Sequence, residues 1–462
     1  MLARSLTLPD MILCLVILHS AVTVSCYNYA AVLHKSLLFY EAQRSGKLPA
    51  DNRIPWRGDA HVNDSGEDGE DLSGGYYDAG DNVKFGFPMA SAMTVLAWGG
   101  IQFQGGYRAA RELRQLLSAV RWGADYLIKC HVGHDELYGQ VGRSDIDHAT
   151  FTRPEDKTGA RPAYKISPAA PGSDLAAETA AAMAAAAILL AEEDQEYSDH
   201  LVEHAVQLLE FAQSYPGRYD KSIKDAHNNY PSHDHRDELV WGAVWLFLAT
   251  GHQEYLDLAE QSYDKAGIEN STEFTWDDKG PGVMVLLAQI TDKEKYKEDL
   301  KSFCDLIVNS KPRSPKGMVF LSKWGSLRHA ANVAFICLNA ANMDIKREEF
   351  TEFAIQQLNY ILGDAGHSYV VGYGKDPPQR PHHAASSCPA PPATCDWSNL
   401  SKPGPNPHVL EGALVGGPGD ADDVWEDDRA DYVTNEVSLD YNAGFQGLLA
   451  GAIEFKRKLP RL

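Results

Sequence analysis

Two aspartates, Asp78 and Asp81, lie three residues apart in the glycine- and aromatic-rich stretch 74–88. Glycine breaks regular structure there and lets the backbone or a ligand come close. Carboxyl groups beside flat aromatic faces suit a neutral, polar, ring-shaped substrate better than a phosphate or a nucleic acid. The stretch therefore predicts a binding or catalytic loop. The alternative is an ordinary solvated turn, because Asp and Gly are also the residues that turns prefer.

A second carboxylate-rich segment with interleaved aromatics occupies residues 425–445. It contains Asp427 and Glu436, and Tyr441 follows shortly after. Hydrolysis of a glycosidic bond needs one carboxyl group that donates a proton and a second carboxylate on the opposite side of the bond. Because Asp81 and Glu436 are far apart in sequence, only the tertiary fold can bring such a pair together.

The composition limits the class of protein and its partners. The 462 residues are 44% hydrophobic, which allows a large core, and the net charge is −22. Such acidity argues against nucleic acid and anionic membranes as partners. No apolar run reaches the length of about 18 residues that a transmembrane helix needs. Residues 1–25 combine a charged start, a short apolar core and small residues before Cys26, which predicts a secretory signal peptide, with a buried N-terminal helix as the alternative.

Secretion permits disulfide bonds. Of the seven cysteines, Cys388 and Cys395 flank a proline-rich loop, and we expect them to pair. The cysteine spacing is unlike that of a zinc cluster. Three Asn-x-Ser/Thr sequons are candidates for glycosylation: they begin at Asn63, Asn270 and Asn399.

Helical periodicity dominates the chain and strand-like alternation is scarce. The predicted helices are 30–40, 88–99, 107–130, 174–193, 199–214, 237–250, 253–265, 281–291, 294–309, 326–342, 348–362 and 443–456. A dozen helices could form bundles, a solenoid or a closed toroid, and the lack of a fixed repeat counts against the solenoid. Long loops between them carry most of the aromatics and carboxylates, and loops of such length are usually functional: these loops are 43–87, 131–173, 266–280, 310–325 and 363–441.

Together, the segments 74–88 and 425–445 resemble the signatures of glycoside hydrolase family nine, the endoglucanases and cellulases built on an α/α barrel. The resemblance runs from about Tyr27 to the last residues. It implies an all-α fold, a toroid of six helical hairpins or (α/α)6 barrel, whose long loops form an open substrate cleft at one end. Since no linker or second compact segment is apparent, we expect a signal peptide over 1–25 and one catalytic domain over 26–462, without an appended carbohydrate-binding module.

The resemblance also implies roles for the acids. Asp81, the second Asp of Asp-Ala-Gly-Asp, corresponds to the general base, and Asp78 helps to hold the water. Glu436 of Asn-Glu-Val corresponds to the general acid, and Asp427 to a supporting acid. An inverting enzyme keeps its two carboxyl groups about 6.5–9.5 Å apart, which leaves room for a water. We expect burial to raise the pKa of Glu436, and loop amides to keep Asp78 and Asp81 ionised.

Residues 368–383 resemble the family's histidine signature, in which His382 corresponds to a substrate-contacting histidine; a purely structural histidine is the alternative. The family's His-x-Arg pattern has Ala384 in place of its arginine. In the loop that resembles the family's acidic loop, His148 is retained as a substrate contact, and Phe151 offers a smaller stacking face than the usual Trp. Loss of one charged hydrogen bond to substrate costs about 1.5–3 kcal/mol. These departures predict weaker substrate affinity or altered specificity.

Sugar rings pack their C–H faces on aromatic side chains. The candidate stacking platforms in or beside loops are Trp276, Trp324, Trp397, Trp425 and Tyr441, any one of which could instead belong to the core. Trp324 and Arg328 lie in a segment that matches a cleft segment of the family. The implied partner is a β-glucan polysaccharide such as cellulose. We expect a monomer, with no nucleic-acid or membrane partner.

The chemistry requires no cofactor, and one interpretation of the sequence adds a structural Ca²⁺ site. Five oxygens resemble those that bind Ca²⁺ in some members of the family: Ser232, the carbonyl of His233, Asp237, Glu238 and Asp277. Hard oxygen ligands suit this ion. As an alternative, Asp237 and Glu238 form an acidic pair at a helix N-terminus, which the helix dipole favours.

The sequence therefore predicts a secreted endo-β-1,4-glucanase that inverts the anomeric centre, with water activated by Asp81 and a proton from Glu436. A weakly active or non-catalytic glucan-binding relative is one alternative, and a hydrolase of another β-glucan such as lichenan or xylan is a second. A third alternative is a helical scaffold that binds a protein partner and no sugar.

Overall fold

The computed structural model describes residues 27–458, so the predicted signal peptide over 1–25 lies outside the described residues. The described chain contains eighteen α-helices, and most of them are long. They are α1 (Tyr29–Ala42), α2 (Gly86–Gln102), α3 (Gln104–Ala110), α4 (Leu113–Cys130), α5 (Ser144–Asp147), α6 (Ser173–Leu190), α7 (Gln195–Ser214), α8 (Tyr219–Ser222), α9 (Lys224–Asn229), α10 (Arg236–Thr250), α11 (Gln253–Ala266), α12 (Gly280–Ile290), α13 (Glu294–Asn309), α14 (Ser326–Asn342), α15 (Arg347–Asn359), α16 (Ala384–Ser387), α17 (Tyr432–Asn435) and α18 (Leu439–Lys458).

Six helices form a closed inner ring. Each one contacts the next in the order α2, α6, α10, α12, α14 and α18, and α18 returns to contact α2. A second set packs outside the ring, with α1 on α18, α4 on α2, α7 on α6, α11 on α10, α13 on α12 and α15 on α14. The predicted (α/α)6 barrel is therefore confirmed.

The two layers differ in sequence because they differ in burial. The inner helix α6 is rich in alanine, the best helix former, and nearly all of it is buried. By length and apolar composition α6 could cross a membrane, yet 94% of it is buried inside the structure, as in a core helix. The outer helix α4 buries one face, which includes Leu116, Val120 and Leu127. Where α2 meets α18, a Cβ on Gly99 would lie 3.1 Å from the Cα of Gly447, so glycine permits the close approach.

A small antiparallel sheet corrects the prediction of an irregular loop over 131–173. Its strands are β1 (Lys84–Phe85), β2 (His131–Gly133), β3 (Glu136–Val141) and β4 (Ala163–Ile166). The central strand β3 pairs with all three others. Five of the six β3 residues are buried, so β3 lacks the polar–apolar alternation that reveals a half-exposed strand. Strand β1 leads from the loop of Asp78 and Asp81 into α2, and the sheet therefore anchors that loop.

The predicted disulfide between Cys388 and Cys395 is present. Both cysteines are buried and form a small apolar cluster with Phe151 and Ala384, separate from the main core. The bond thus fixes a loop that packs against the residue replacing the family's arginine.

The three sequons differ in accessibility. Asn63 and Asn270 are exposed. Asn399 is buried, and its side-chain oxygen accepts the backbone N–H of Asp396 at 3.0 Å. In the folded chain, Asn63 and Asn270 are therefore the accessible candidates for a glycan.

A buried ion pair ties the inner ring together. The ammonium of Lys279 lies 3.2 Å from the carboxylate of Glu178 on α6, and both side chains are almost wholly buried. The hydroxyl of Thr94 on α2 donates a further hydrogen bond to Glu178 at 2.6 Å. The pair therefore links the start of α12 to α6 and α2.

We predict that Lys279→Met lowers the free energy of unfolding by about 3–5 kcal/mol, because it leaves Glu178 buried without its cation. Urea unfolding followed by circular dichroism measures the change. The control is Lys297→Met, which removes a partly exposed lysine 3.7 Å from Glu294. The effect of this control on the free energy of unfolding should stay within about 0.5 kcal/mol. Equal stability of the two variants would contradict the conclusion that the Lys279–Glu178 ion pair ties the inner ring together.

Candidate active site

The two acidic signatures meet at one end of the ring through backbone hydrogen bonds. The N–H of Leu439, the first residue of α18, donates to the carbonyl of Asp78 at 2.9 Å. The N–H of His382 donates to the carbonyl of Asn435 at 2.9 Å, which places the histidine segment beside the Asn-Glu-Val turn. Three segments that are distant in sequence therefore share one backbone framework.

These segments line an open cavity of about 670 Å³. Ten of the predicted catalytic and substrate-binding residues line it: Asp78, Asp81, His148, Phe151, Trp276, Trp324, Arg328, His382, Glu436 and Tyr441. Among the predicted site residues, Asp427 does not line it. Its carboxylate instead accepts the backbone N–H groups of Gln379 at 2.9 Å and Arg380 at 3.0 Å. Asp427 therefore supports the backbone of the segment that carries His382, a contact compatible with the supporting role that the resemblance implies.

Glu436 has the properties of a proton donor. It follows the short helix α17 in extended conformation, and its Oε2 accepts the indole N–H of Trp324 at 3.0 Å. Burial raises the pKa of Glu436 to about 7, the negative charges of Asp81 and Asp440 raise it too, and the Trp324 hydrogen bond opposes them. The carboxyl group therefore stays protonated up to near-neutral pH, as general-acid catalysis requires.

Asp81 is paired with a histidine. The Nε2 atom of His148 lies 2.9 Å from Oδ2 of Asp81, and the backbone N–H of Val83 donates to Oδ1 at 3.4 Å. Burial raises the pKa of Asp81, whereas the hydrogen bond from His148 acts against that rise. The same hydrogen bond raises the pKa of His148. A protonated His148 thus favours the ionised Asp81 that a general base requires.

The carboxylate of Asp78 does not receive the hydrogen bonds from loop backbone amides that the sequence predicts. The hydroxyl of Tyr230 donates to its Oδ2, and the buried Oδ1 has no hydrogen-bond partner in the described chain. Burial raises the pKa of Asp78 well above its usual value, and the charge of Asp81 adds to the rise. The prediction that loop amides keep Asp78 ionised is therefore wrong, because its donor is a side chain from a distant segment.

Two exposed tryptophans supply aromatic faces to the cavity. Trp324 is 42% exposed and packs at a tilt against Tyr432, with ring centroids 5.5 Å apart. Trp397 is 49% exposed and lies 5.6 Å from the ring of Phe151. The prediction of Phe151 as a stacking face needs correction, since its ring is buried beneath Trp397. Trp425 does not line the cavity.

The remaining predicted contacts form the cavity wall. Trp276 packs edge-on against Tyr230 at 5.0 Å. Arg328 forms an ion pair with Asp440 at 2.7 Å, and its guanidinium lies over the ring of Tyr441 at 5.4 Å. The positive charge of Arg328 is therefore already partnered, and this residue mainly orients its neighbours.

Tyr432 lies close to Glu436 in sequence, which predicts an aromatic neighbour for that acid, and it lines the cavity. Sequence reasoning did not single out Tyr230. Tyr230 follows α9 and is 152 residues from its partner Asp78, so no local pattern could have revealed that contact.

Four of the five predicted calcium ligands are the side chains of Ser232, Asp237, Glu238 and Asp277. The fifth, the carbonyl of His233, accepts a hydrogen bond from Arg218 at 3.1 Å. Glu238 is buried and both its carboxylate oxygens lack a hydrogen-bond partner in the described chain, which suits a hard cation. Asp237 accepts the N–H of Lys279 at 2.8 Å, and Asp277 pairs with the exposed ring of His233. The donor set fits Ca²⁺ in its chemistry, and binding would require Asp277 to leave His233.

A family model and several relatives match this chain. The model for glycosyl hydrolase family 9 matches residues 29–449. Endoglucanase B of Cellulomonas fimi is 46% identical over 453 residues, which cover 94% of this chain and 43% of that protein. Endoglucanase 15 of Arabidopsis thaliana is 42% identical, over 92% of this chain and 93% of that protein. The chain thus spans less than half of the first relative and nearly all of the second.

Solved structures of endoglucanases and cellulases have the same fold as this chain. The endoglucanase of the termite Nasutitermes takasagoensis has a TM-score of 0.92 and 54% identity, over 93% of this chain and 100% of that chain. The cellulase Cel9M of C. cellulolyticum in complex with cellobiose has a TM-score of 0.87 and 33% identity, over 93% of this chain and 99% of that chain. The closed helical toroid, the carboxyl groups in an aromatic-lined cavity and these matches together define the class of protein, an all-α glycoside hydrolase. This chain belongs to glycosyl hydrolase family 9.

We predict that Trp324→Phe moves the basic limb of the pH profile to higher pH. In the role of general acid that the resemblance implies, Glu436 must be protonated. Activity is then expected below its pKa of about 7 and is lost as the pH rises through that value. Removing the indole donor destabilises the carboxylate by about 1.5–3 kcal/mol, which corresponds to a shift of about one pH unit or more. The measurement is kcat/KM on a soluble glucan as a function of pH.

The matched control for this prediction is Trp397→Phe. Trp397 is equally exposed in the same cavity, but its indole donates to the carbonyl of Ala149. Its loss should lower affinity for the glucan and leave the basic limb in place. If the basic limb of the pH profile stays at the wild-type pH in both variants, Trp324 does not determine the pKa of Glu436.

We predict that Ca²⁺ raises the melting temperature of the wild-type chain relative to EDTA. A ligand at 100 times its Kd stabilises the folded state by about 2.7 kcal/mol. Differential scanning calorimetry measures the difference, with Mg²⁺ as a control for ionic strength. Glu238→Gln should lose the response to Ca²⁺, and an unchanged response in that variant would argue against these ligands.

Proposed function

We propose that this chain is an inverting endo-β-1,4-glucanase that hydrolyses internal bonds of cellulose and related β-glucans. The observation that carries the proposal is the contrast between its acids across one cavity. Burial keeps Glu436 protonated to near-neutral pH, against the opposing effect of a single neutral donor, the indole of Trp324. Asp81 instead has an imidazole that favours its ionised form. Two carboxyl groups with different environments fit the division into acid and base.

In the proposed reaction, Glu436 donates its proton to the leaving glycosidic oxygen as the C–O bond breaks. Asp81 accepts a proton from a water that attacks the anomeric carbon from the opposite face. Asp78, held by Tyr230, accepts a second hydrogen bond from this water through the free Oδ1. After the reaction Glu436 is ionised and Asp81 is protonated, and proton exchange with solvent restores both.

The open form of the cavity supports action within a polysaccharide chain. Trp324 and Trp397 present exposed rings along it, and successive sugars can stack on such rings. Ala384 also lines the cavity and contributes no charge. These features favour a neutral glucan. Lichenan is also a neutral glucan, so its hydrolysis should be compared directly with that of cellulose derivatives.

We also propose that the protein is secreted. The signal-like residues 1–25 and the disulfide between Cys388 and Cys395 support an oxidising, extracellular location. The exposed sequons at Asn63 and Asn270 fit the same route.

We predict that Glu436→Gln and Asp81→Asn each lower kcat by about 10²–10⁴, the usual contribution of a general acid or base. The assay measures reducing ends released from carboxymethylcellulose, together with viscosity, which falls early if cleavage is internal. Glu426→Gln is the matched control, because this acid lies in the same signature but does not line the cavity. It should retain wild-type turnover.

The stereochemistry gives an independent test of the same mechanism. Proton NMR of the first products from a short β-1,4-glucan should show the α-anomer before mutarotation. A β-anomer would exclude the inverting mechanism, in which water attacks the anomeric carbon directly. Full activity of Glu436→Gln would exclude the assignment of the acid, whichever anomer forms.

A further inference from the structure

Three histidines outside the cleft form a continuous chain of ring contacts. His200 and His204 lie one turn apart on the outer helix α7, so they share a face. His131 begins β2. The Nδ1 atoms of His131 and His204 are 2.7 Å apart, and the Nε2 atoms of His204 and His200 are 3.3 Å apart.

The partners of these rings determine which nitrogen carries each proton. The Nε2 atom of His131 faces the carbonyl oxygen of His134 at 3.5 Å. Because a carbonyl only accepts, this Nε2 carries the hydrogen and the Nδ1 of His131 is an acceptor. His204 therefore donates from its own Nδ1, which leaves the lone pair of its Nε2 directed at His200.

The separation of the two Nε2 atoms fits a shared metal ion. Two nitrogens at the usual Zn–N distance of about 2.0–2.1 Å in tetrahedral geometry lie about 3.3–3.4 Å apart. A ligating histidine also commonly donates its second N–H to a fixed acceptor, which holds the ring in place. His131 supplies that acceptor for His204, and it is buried and therefore rigidly held.

We propose that the Nε2 atoms of His200 and His204 bind one late first-row divalent cation, such as Zn²⁺, with His131 as the positioning residue. Imidazole ligands select this class of ion. Solvent can complete the coordination, since the His200 side chain is about half exposed. The Oε2 atom of the exposed Glu203 lies 3.8 Å from Nδ1 of His200, so this carboxylate faces the ring nitrogen that is not used for the ion. The bound ion would bridge successive turns of α7.

The experiment titrates Zn²⁺ into the untagged full chain by isothermal calorimetry. Wild type should bind one equivalent that His200→Ala and His204→Ala both lose. His131→Leu should weaken the same binding by about 10- to 100-fold, and His131→Gln, which keeps an acceptor, should recover part of it. Cu²⁺ bound at this site should show two nitrogen ligands by electron paramagnetic resonance.

Two controls separate this site from others. His252→Ala removes a similarly exposed histidine elsewhere and should bind as wild type does. Asp81, Asp147 and His148 also place ligand atoms within 4.8 Å of one another, so a second equivalent that persists in His200→Ala belongs to the cleft. Activity and circular dichroism establish that each variant is folded. Zn²⁺ binding that is identical in wild type and His200→Ala, or absent from both, would overturn the proposal.

Discussion

The hydrogen bond from Leu439 to the carbonyl of Asp78 joins the last helix of the inner ring to the loop that precedes the first. The ring closes where α18 packs on α2, and this closure brings the loop before α2 and the turn before α18 to one rim. Because a backbone bond holds Asp78 there, the Asp78–Asp81 loop and the Glu436 turn have little freedom to separate. The geometry of the acids therefore depends on ring closure rather than on any local motif.

Each acid at the rim has a different donor. Trp324 donates to Glu436, His148 to Asp81 and Tyr230 to Asp78. Burial raises all three pKa values, but an imidazole can become a cation whereas an indole or a phenol remains a neutral donor. The donors, and not the carboxyl groups themselves, thus separate the roles of Asp81 and Glu436.

The chain departs from its family's pattern where the cleft wall is apolar. Ala384 and Phe151 pack together with the disulfide of Cys388 and Cys395, and Trp397 covers Phe151 with its exposed ring. Where the resemblance implies a charged arginine, the wall has Ala384 and a broad aromatic face. Binding should depend more on stacking and less on charged hydrogen bonds than the family pattern implies.

Much of the layer structure followed from sequence because each layer has its own pattern. The alanine-rich α6 and the one-sided α4 could be predicted from composition and period, and the disulfide from its loop. The sheet could not, because β3 is buried on both faces and lacks alternation. The assignment of six hairpins to a closed toroid came from resemblance, since periodicity is equally satisfied by a bundle.

The sequence by itself determined which residue types were available for chemistry: the acids of the two signatures, the aromatics around them and the histidines. The tertiary structure decided which of them meet. It brought Tyr230 to Asp78 across 152 residues, gave Asp427 its backbone partners, and buried Phe151 beneath Trp397. Contacts of this kind depend on how the ring closes and on how the long loops pack over it. No short-range sequence pattern encodes a contact between residues so far apart in the chain.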